Sequence, residues 1–164
     1  MVKLTIDGIQ VEAEKGTSIL HAAESVGIKI PTLCYIKDLL PDGSCRMCMV
    51  EIESRGRTKM ETACTAQVAE GLVVTTNSEK VRNARRNILD MLLSNHKTDC
   101  FSCPSNGDCK LQELCFEYGI ERTTYSGEQT ELPIDDSNKF FTYNPNLCIL
   151  CHRCVNTCHK IVGR

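Results

Sequence analysis

Tryptophan is absent from this sequence of 164 residues, and the aromatic residues together make up only 5% of it. A large aromatic core is therefore excluded as the thing that holds the chain together. No apolar run approaches the roughly 18 residues that cross a bilayer. The N-terminal stretch from Met1 to Gly8 goes straight into polar/apolar alternation instead of a secretory apolar segment. No membrane span and no secretion are expected, and a reducing, cytoplasmic setting is. The net charge of −2 supplies no bulk attraction to nucleic acid or anionic lipid, so neither is an expected partner. A nucleophile-base pair, a phosphate-binding glycine loop and a paired-carboxylate arrangement are also missing. Asp135-Asp136 reads as a solvated turn, and no catalytic residue is expected in this chain.

What the sequence has in quantity is cysteine, twelve in all. In a small protein short of core, either disulfides or metal centres can staple the fold. A reducing compartment decides for metal ligands.

The chain organises around these cysteines. Val2, Leu4 and Ile6 alternate with polar residues, Asp7-Gly8 interrupts, and Ile9, Val11 and Ala13 resume, which predicts a β-hairpin. Thr17 or Ser18 caps a helix through about Ser25, closed by Gly27. Strands at Met49–Ile52 and near Leu72–Thr75, with a turn at Arg55-Gly56, complete a ββαβ-type pattern. Residues 1–78 thus read as one α+β module. Ser78 is a candidate N-cap for a helix from Glu79 to Ser94 with apolar residues at helical spacing. Arg82, Arg85 and Arg86 fall on its other side and read as a solvated face, with a docking patch for an acidic partner as the alternative. A short helix from Lys110 to Tyr118 ends at Gly119, giving a second module over 79–120. Residues 121–144 read as a connector, and 145–164 as the start of a third module.

Three groups of ligands emerge. Cys34, Cys45, Cys48 and Cys64 combine a Cys-x2-Cys loop with two outlying thiols. Gly43 and Ser44 leave backbone amides free to approach cluster sulfurs there. Plant-type ferredoxins have a shorter first gap but the same Cys-x2-Cys and late fourth ligand, so a 2Fe-2S cluster is expected; a zinc ribbon would want a second Cys-x2-Cys. His96, Cys100, Cys103 and Cys109 offer one imidazole and three thiolates. That set suits zinc as well as a cluster, and spacing alone does not separate them. Cys115 could replace His96 as fourth ligand, but reads better as a buried free thiol. The third group, Cys148-x2-Cys151-x2-Cys154-x3-Cys158, reproduces the run of bacterial ferredoxins, in which three cysteines hold one 4Fe-4S cluster and the fourth serves another. His159 stands where Pro usually follows. No second run supplies ligands for a partner cluster of Cys158, so a chain that is a fragment of something longer is expected, the alternative being that Cys158 folds back to complete a single cluster. His21, His152 and His159 read as spectators, the last two close enough to the run to influence a potential.

The order of these groups resembles the N-terminal iron-sulfur region of the complex I large iron-sulfur subunit, of iron-only hydrogenases and of NAD-linked formate dehydrogenases. Pro31-Thr-Leu-Cys34, Cys45-Arg-Met-Cys48, Thr62-Ala-Cys64, Asn95-His96 with its three cysteines, and Asn146-Leu-Cys148-Ile-Leu-Cys151-His-Arg-Cys154 carry the resemblance over nearly the whole chain. It implies an α+β fold that opens with a ferredoxin-like β-grasp 2Fe-2S module. A small helical module follows, in which His96 and three cysteines hold a 4Fe-4S cluster, and then part of a bacterial-type 4Fe-4S ferredoxin module. One 2Fe-2S and two 4Fe-4S clusters result, with a further 4Fe-4S if the chain continues or a partner supplies ligands. The implied partners are a flavin-containing, NAD(P)H-reacting iron-sulfur subunit and a hydrogenase or formate dehydrogenase catalytic subunit or domain. A complex I-type subunit, a free-standing multi-cluster ferredoxin and a zinc-stapled interaction module are the alternatives.

Overall fold

The expected alternation is realised as strands β1 (Val2–Ile6) and β2 (Ile9–Ala13), paired antiparallel with Val2 opposite Ala13 and Ile6 opposite Ile9. Leu4, Ile6, Val11 and Ala13 point into the core. Asp7 and Gly8 both take positive φ, 47° and 83°, the backbone that a two-residue turn needs to match the strands' twist. The computed structural model describes residues 1–127 and 131–163.

Helix α1 (Ile19–Ser25) starts where Ser18 Oγ accepts the His21 amide at 3.3 Å, and buries Ile19, Leu20, Ala22 and Ala23. Strands β3 (Met49–Ser54), β4 (Arg57–Thr62) and β5 (Leu72–Thr75) complete a mixed five-stranded sheet of order β2-β1-β5-β3-β4. β1 and β5 run parallel, and the other pairs are antiparallel. The Asp7 carboxylate fastens the first hairpin to the end of β5, accepting the Thr76 amide at 2.7 Å and the Thr76 hydroxyl.

Strand β4 goes beyond the sequence expectation. Arg57-Thr-Lys-Met-Glu-Thr62 lies at the sheet edge with only Thr62 buried, so no apolar alternation marks it. Its charged side chains are those that discourage pairing of an exposed edge with another chain.

Helix α2 (Glu79–Ser94) begins at Ser78, whose Oγ accepts the Val81 amide at 3.1 Å. Val81, Leu89 and Leu93 are buried along one stripe. Arg82 and Arg86 are exposed as expected. Arg85 is not; it is 2% exposed, because its position between Val81 and Leu89 at four-residue steps puts it on the buried stripe.

The chain divides into two compact units, one of Met1–Arg85 with the residues from His152 on, the other of Arg86–Cys151. The first unit's interior is the sheet packed on α1, with Val50, Ile52, Leu72 and Val74 joining the residues named above. Its C-terminal part holds α4 (Arg153–Thr157) and a π-helical turn over Cys158–Val162. In the second unit, α3 (Lys110–Glu117) buries Leu111, Leu114 and Cys115 and is followed by Gly119 at φ 64°. The expected connector is irregular among its described residues apart from one bridge between Asp135 and Tyr143. It is fastened to α2 by Asp90, which accepts the Thr123 hydroxyl and the Thr124 amide, each at 2.8 Å.

Ile6 is fully buried and Ile9 is 47% exposed on the same hairpin. Ile6→Ala is expected to cost about 2–5 kcal/mol in chemical denaturation, whereas Ile9→Ala stays within about 0.5 kcal/mol.

Candidate metal centres

The first site is built by the edges of the sheet. Cys34 follows the chain leaving α1, Cys45 and Cys48 lie in the loop that feeds β3, and Cys64 comes directly after β4. Cys34, Cys48 and Cys64 are buried and Cys45 is half-buried. The loop is pinned by backbone that few residues tolerate. Gly43 has φ 65°, and a Cβ there would stand 3.2 Å from both Thr62 Oγ1 and Thr65 Cγ2. Arg46, between two of the ligands, also takes positive φ, 59°. The Cys34 amide donates to Cys45 Sγ at 3.4 Å, and the Ala63 amide donates to the Cys48 carbonyl at 2.9 Å, drawing the strands that carry Cys48 and Cys64 together.

Electrostatics shows how closely the four sulfurs crowd. A hydrogen bond from the Cys45 thiol, against the opposing effect of burial, pulls Cys34 down from 9.0 to about 5. Cys45 is pushed up by the same bond and by burial. Cys48 and Cys64 form a second such pair, with Cys48 brought down to about 7 by its bond to Cys64. Cys64 is pushed up by that bond, then by burial, and then by the charges of Cys48, Cys34 and Cys45. All four therefore lie within electrostatic reach of one another. Among the described residues no group of three or more His, Cys, Asp or Glu side chains is arranged to hold a single metal ion. Two mutually bonded thiol pairs are a donor set that could hold a thiolate-ligated cluster, which is bound through ionised sulfur.

The second group lies wholly in the second unit. His96 follows α2, Cys100 opens a short 3-10 turn closed by the Cys103 amide on the Cys100 carbonyl at 3.2 Å, and Cys109 caps α3. Burial lowers the His96 pKa, and a hydrogen bond with the Cys148 backbone works the other way. The net lowering favours neutral imidazole, the form that ligates. Cys115 is buried in α3, and its thiol is pushed up to about 11 by burial and then by the charges of Cys100 and Cys109. The thiol read as buried rather than as a replacement for His96 thus sits beside two of the expected ligands.

The third group is divided. Cys148 and Cys151 belong to the second unit, and Cys154 and Cys158 to the first. The Leu150 amide turns onto Cys148 Sγ at 3.4 Å, with Leu150 at φ 53°. Cys154 stands in α4, and Cys158 opens the π-helical turn. Within the first unit this segment is tied to the loop after Cys34. Arg153 donates to the Tyr35 carbonyl at 3.4 Å, and Lys160 binds the Leu40 carbonyl and the Asp42 carboxylate. Sequence spacing carries no signal for these contacts, which span more than a hundred residues. His21, read as a spectator, pairs its ring Nε2 with the Tyr35 hydroxyl at 2.6 Å.

Comparison with known proteins agrees with this geometry. Residues 1–79 match the family described as a 2Fe-2S iron-sulfur cluster binding domain, and residues 85–124 match the NADH-ubiquinone oxidoreductase-G iron-sulfur binding region. The chain is similar, over these residues, to the iron-sulfur region of NADH-ubiquinone oxidoreductase-G. Among its relatives, the NADPH-Fe(3+) oxidoreductase subunit alpha of Geobacter sulfurreducens is 43% identical over 163 residues, covering 99% of this chain and 19% of the relative. The mitochondrial NADH-ubiquinone oxidoreductase 78 kDa subunit of Neurospora crassa is 37% identical over 164 residues, covering 99% of this chain and 22% of the relative. Among solved structures, an NAD+-reducing [NiFe]-hydrogenase in its H2-reduced state superposes with a TM-score of 0.86 at 32% identity, covering 96% of this chain and 65% of that one. The chain therefore spans about a fifth of the length of these two curated relatives.

In the metal-free chain, Cys34 is a thiolate above about pH 5, whereas an unfolded cysteine ionises near about 8.5. Its contribution to stability is full above the unfolded value and is lost as pH falls through about 5. The thiolate ultraviolet band of metal-free protein is expected to show a step near pH 5 that disappears in Cys34→Ser and persists in Cys115→Ser. Thiols that all titrate at the unfolded value would contradict the pairing.

Proposed function

We propose that this chain conducts single electrons between a flavin-containing, NAD(P)H-reacting subunit and a distant catalytic centre. The observation that carries the reading is the four-thiol first site inside a 2Fe-2S domain, followed in sequence by an oxidoreductase-G iron-sulfur region. Cys34, Cys45, Cys48 and Cys64 would hold a 2Fe-2S cluster. His96, Cys100, Cys103 and Cys109 would hold a 4Fe-4S cluster, and Cys148, Cys151, Cys154 and Cys158 a second, the alternative being that Cys158 ligates a further cluster. When bound, such clusters supply one-electron redox chemistry over a range of roughly −700 to +450 mV.

The chain's own residues bind the clusters, shield them and set their surroundings. Burial of Cys34, Cys48 and Cys64 keeps water from the first site. The Leu150 amide on Cys148 Sγ is the kind of hydrogen bond that tunes a cluster's potential. Arg153 and Lys160 bring the Cys154–Cys158 segment to the first site's loop within the first unit. The imidazole of His96, bonded to the Cys148 backbone, relates the second centre to the start of the third.

The catalytic centre served is read as a hydrogenase, on the strength of the hydrogenase structure that superposes on this chain. A complex I-type role is the second reading, favoured by the oxidoreductase-G match and by the mitochondrial NADH-ubiquinone oxidoreductase relative. Formate dehydrogenase, the third member of the resemblance, has no counterpart among the relatives named above. Twelve cysteines, none of them in a disulfide among the described residues, fit a reducing cytoplasm, and among the described residues no helix is long and apolar enough to cross a membrane.

Anaerobically reconstituted chain, mixed with a flavin-containing NAD(P)H dehydrogenase subunit, is expected to lose its visible absorbance on addition of NADH or NADPH. Neither nucleotide should bleach the chain alone. Bleaching by dithionite with no response to either nucleotide through the flavoprotein would contradict the assignment, and failure to retain acid-labile sulfide would remove its basis.

A further inference from the structure

The arginine buried in α2 lies against the first site. Arg85 is 2% exposed, and its Nη2 donates to the Met49 carbonyl at 2.7 Å. Met49 follows Cys48 directly and pairs across the sheet with Thr62, two residues before Cys64. The Cys48 carbonyl, one peptide away, accepts the Ala63 amide at 2.9 Å. The guanidinium is thus anchored at the point where the strands carrying two of the four thiols meet. Glu51, farther along the same strand, binds the Ser78 hydroxyl and faces Lys80 at 3.5 Å.

A buried arginine needs a reason, since placing a charge in the interior is costly unless it is hydrogen-bonded or paired. Guanidinium does not give up its proton in a protein, so the charge persists at every working pH. Its field is screened far less inside the fold than at the surface. Reduction of a cluster adds one negative charge to the site, and a fixed cation nearby stabilises that state. Resting on the 2Fe-2S assignment of the first site, we propose that Arg85 is a positioning residue whose buried positive charge raises the reduction potential of that centre. It acts from outside the ligand set, through the backbone that carries Cys48 and by its field. Whatever further groups the guanidinium touches, a neutral replacement removes one positive charge from beside the site.

The test is a reductive titration of the reconstituted full chain, following the first centre by its electron paramagnetic resonance signal. Wild type, Arg85→Gln, Arg85→Met, Arg85→Lys and Arg82→Gln are compared. At the wild-type midpoint, the ratio of reduced to oxidised first centre is expected to fall about tenfold in the Gln and Met variants, equivalent to about 59 mV for one electron. Arg85→Lys, which keeps the charge, should stay within about twofold of wild type. Arg82→Gln, which removes an exposed charge from the same helix, should do the same. An unshifted potential in the neutral variants, or an equal shift in Arg85→Lys, would overturn the proposal. Loss of the first centre from both neutral variants would overturn it too, by assigning Arg85 to folding alone. Absence of any 2Fe-2S signal in wild type would fail the site assignment instead, a result distinguishable from all of these.

Discussion

Four sulfurs crowded into one site cannot all carry charge without a cation close by. This repulsion is the constraint on which the first unit depends. In the protein alone it is relieved by sharing protons, Cys34 with Cys45 and Cys48 with Cys64, one partner driven down and the other up in each pair. Iron held by these thiols would supply the positive charge that lets each of them ionise, as metal coordination does generally. Metal binding at such a site is therefore also a folding contribution. The surrounding structure supplies what the metal does not: Gly43 and Arg46 in left-handed backbone, and the bond between Ala63 and Cys48 that joins the two strands.

The sheet and α2 serve this loop in different ways. Parallel pairing of β1 with β5, locked by Asp7 on Thr76, gives a rigid base from which β3 projects its first residues toward the site. Helix α2 leaves this base carrying Arg85 beside the first site, and its C-terminal end leads directly along the chain to His96. The segment from His152 on rejoins the first unit and is fastened by Arg153 and Lys160 to the loop after Cys34. Within the first unit, residues far apart along the chain are consequently neighbours, because the segment with Cys154 and Cys158 touches the loop after Cys34.

Much of this was legible in the sequence because short-range rules decided it. The Asp7-Gly8 hairpin, the Ser18 and Ser78 caps and the helix after Ser78 all follow from residues within a few positions of one another. The cysteine and histidine spacing picked out three groups, and the family comparisons cover the first two. Strand β4 was not legible, because an edge strand held by backbone bonds to β3 has no need of apolar alternation. Arg85 was misread because its charge was weighed above its place in the Val81, Arg85, Leu89 stripe. Contacts such as Lys160 with Leu40 join residues too far apart for any local pattern to show them. Cys115 fell between readings, since a thiol on the buried face of α3 has the same sequence appearance whether or not it neighbours a cluster.

Eleven of the twelve cysteines, with His96, are proposed as the ligands of three clusters. Iron and acid-labile sulfide analysis of the anaerobically reconstituted chain, with electron paramagnetic resonance of the reduced protein, tests this assignment most directly. One signal of 2Fe-2S type and two of 4Fe-4S type are expected, with iron and sulfide in equal amounts. A single iron-containing centre, or iron bound without sulfide, would contradict it.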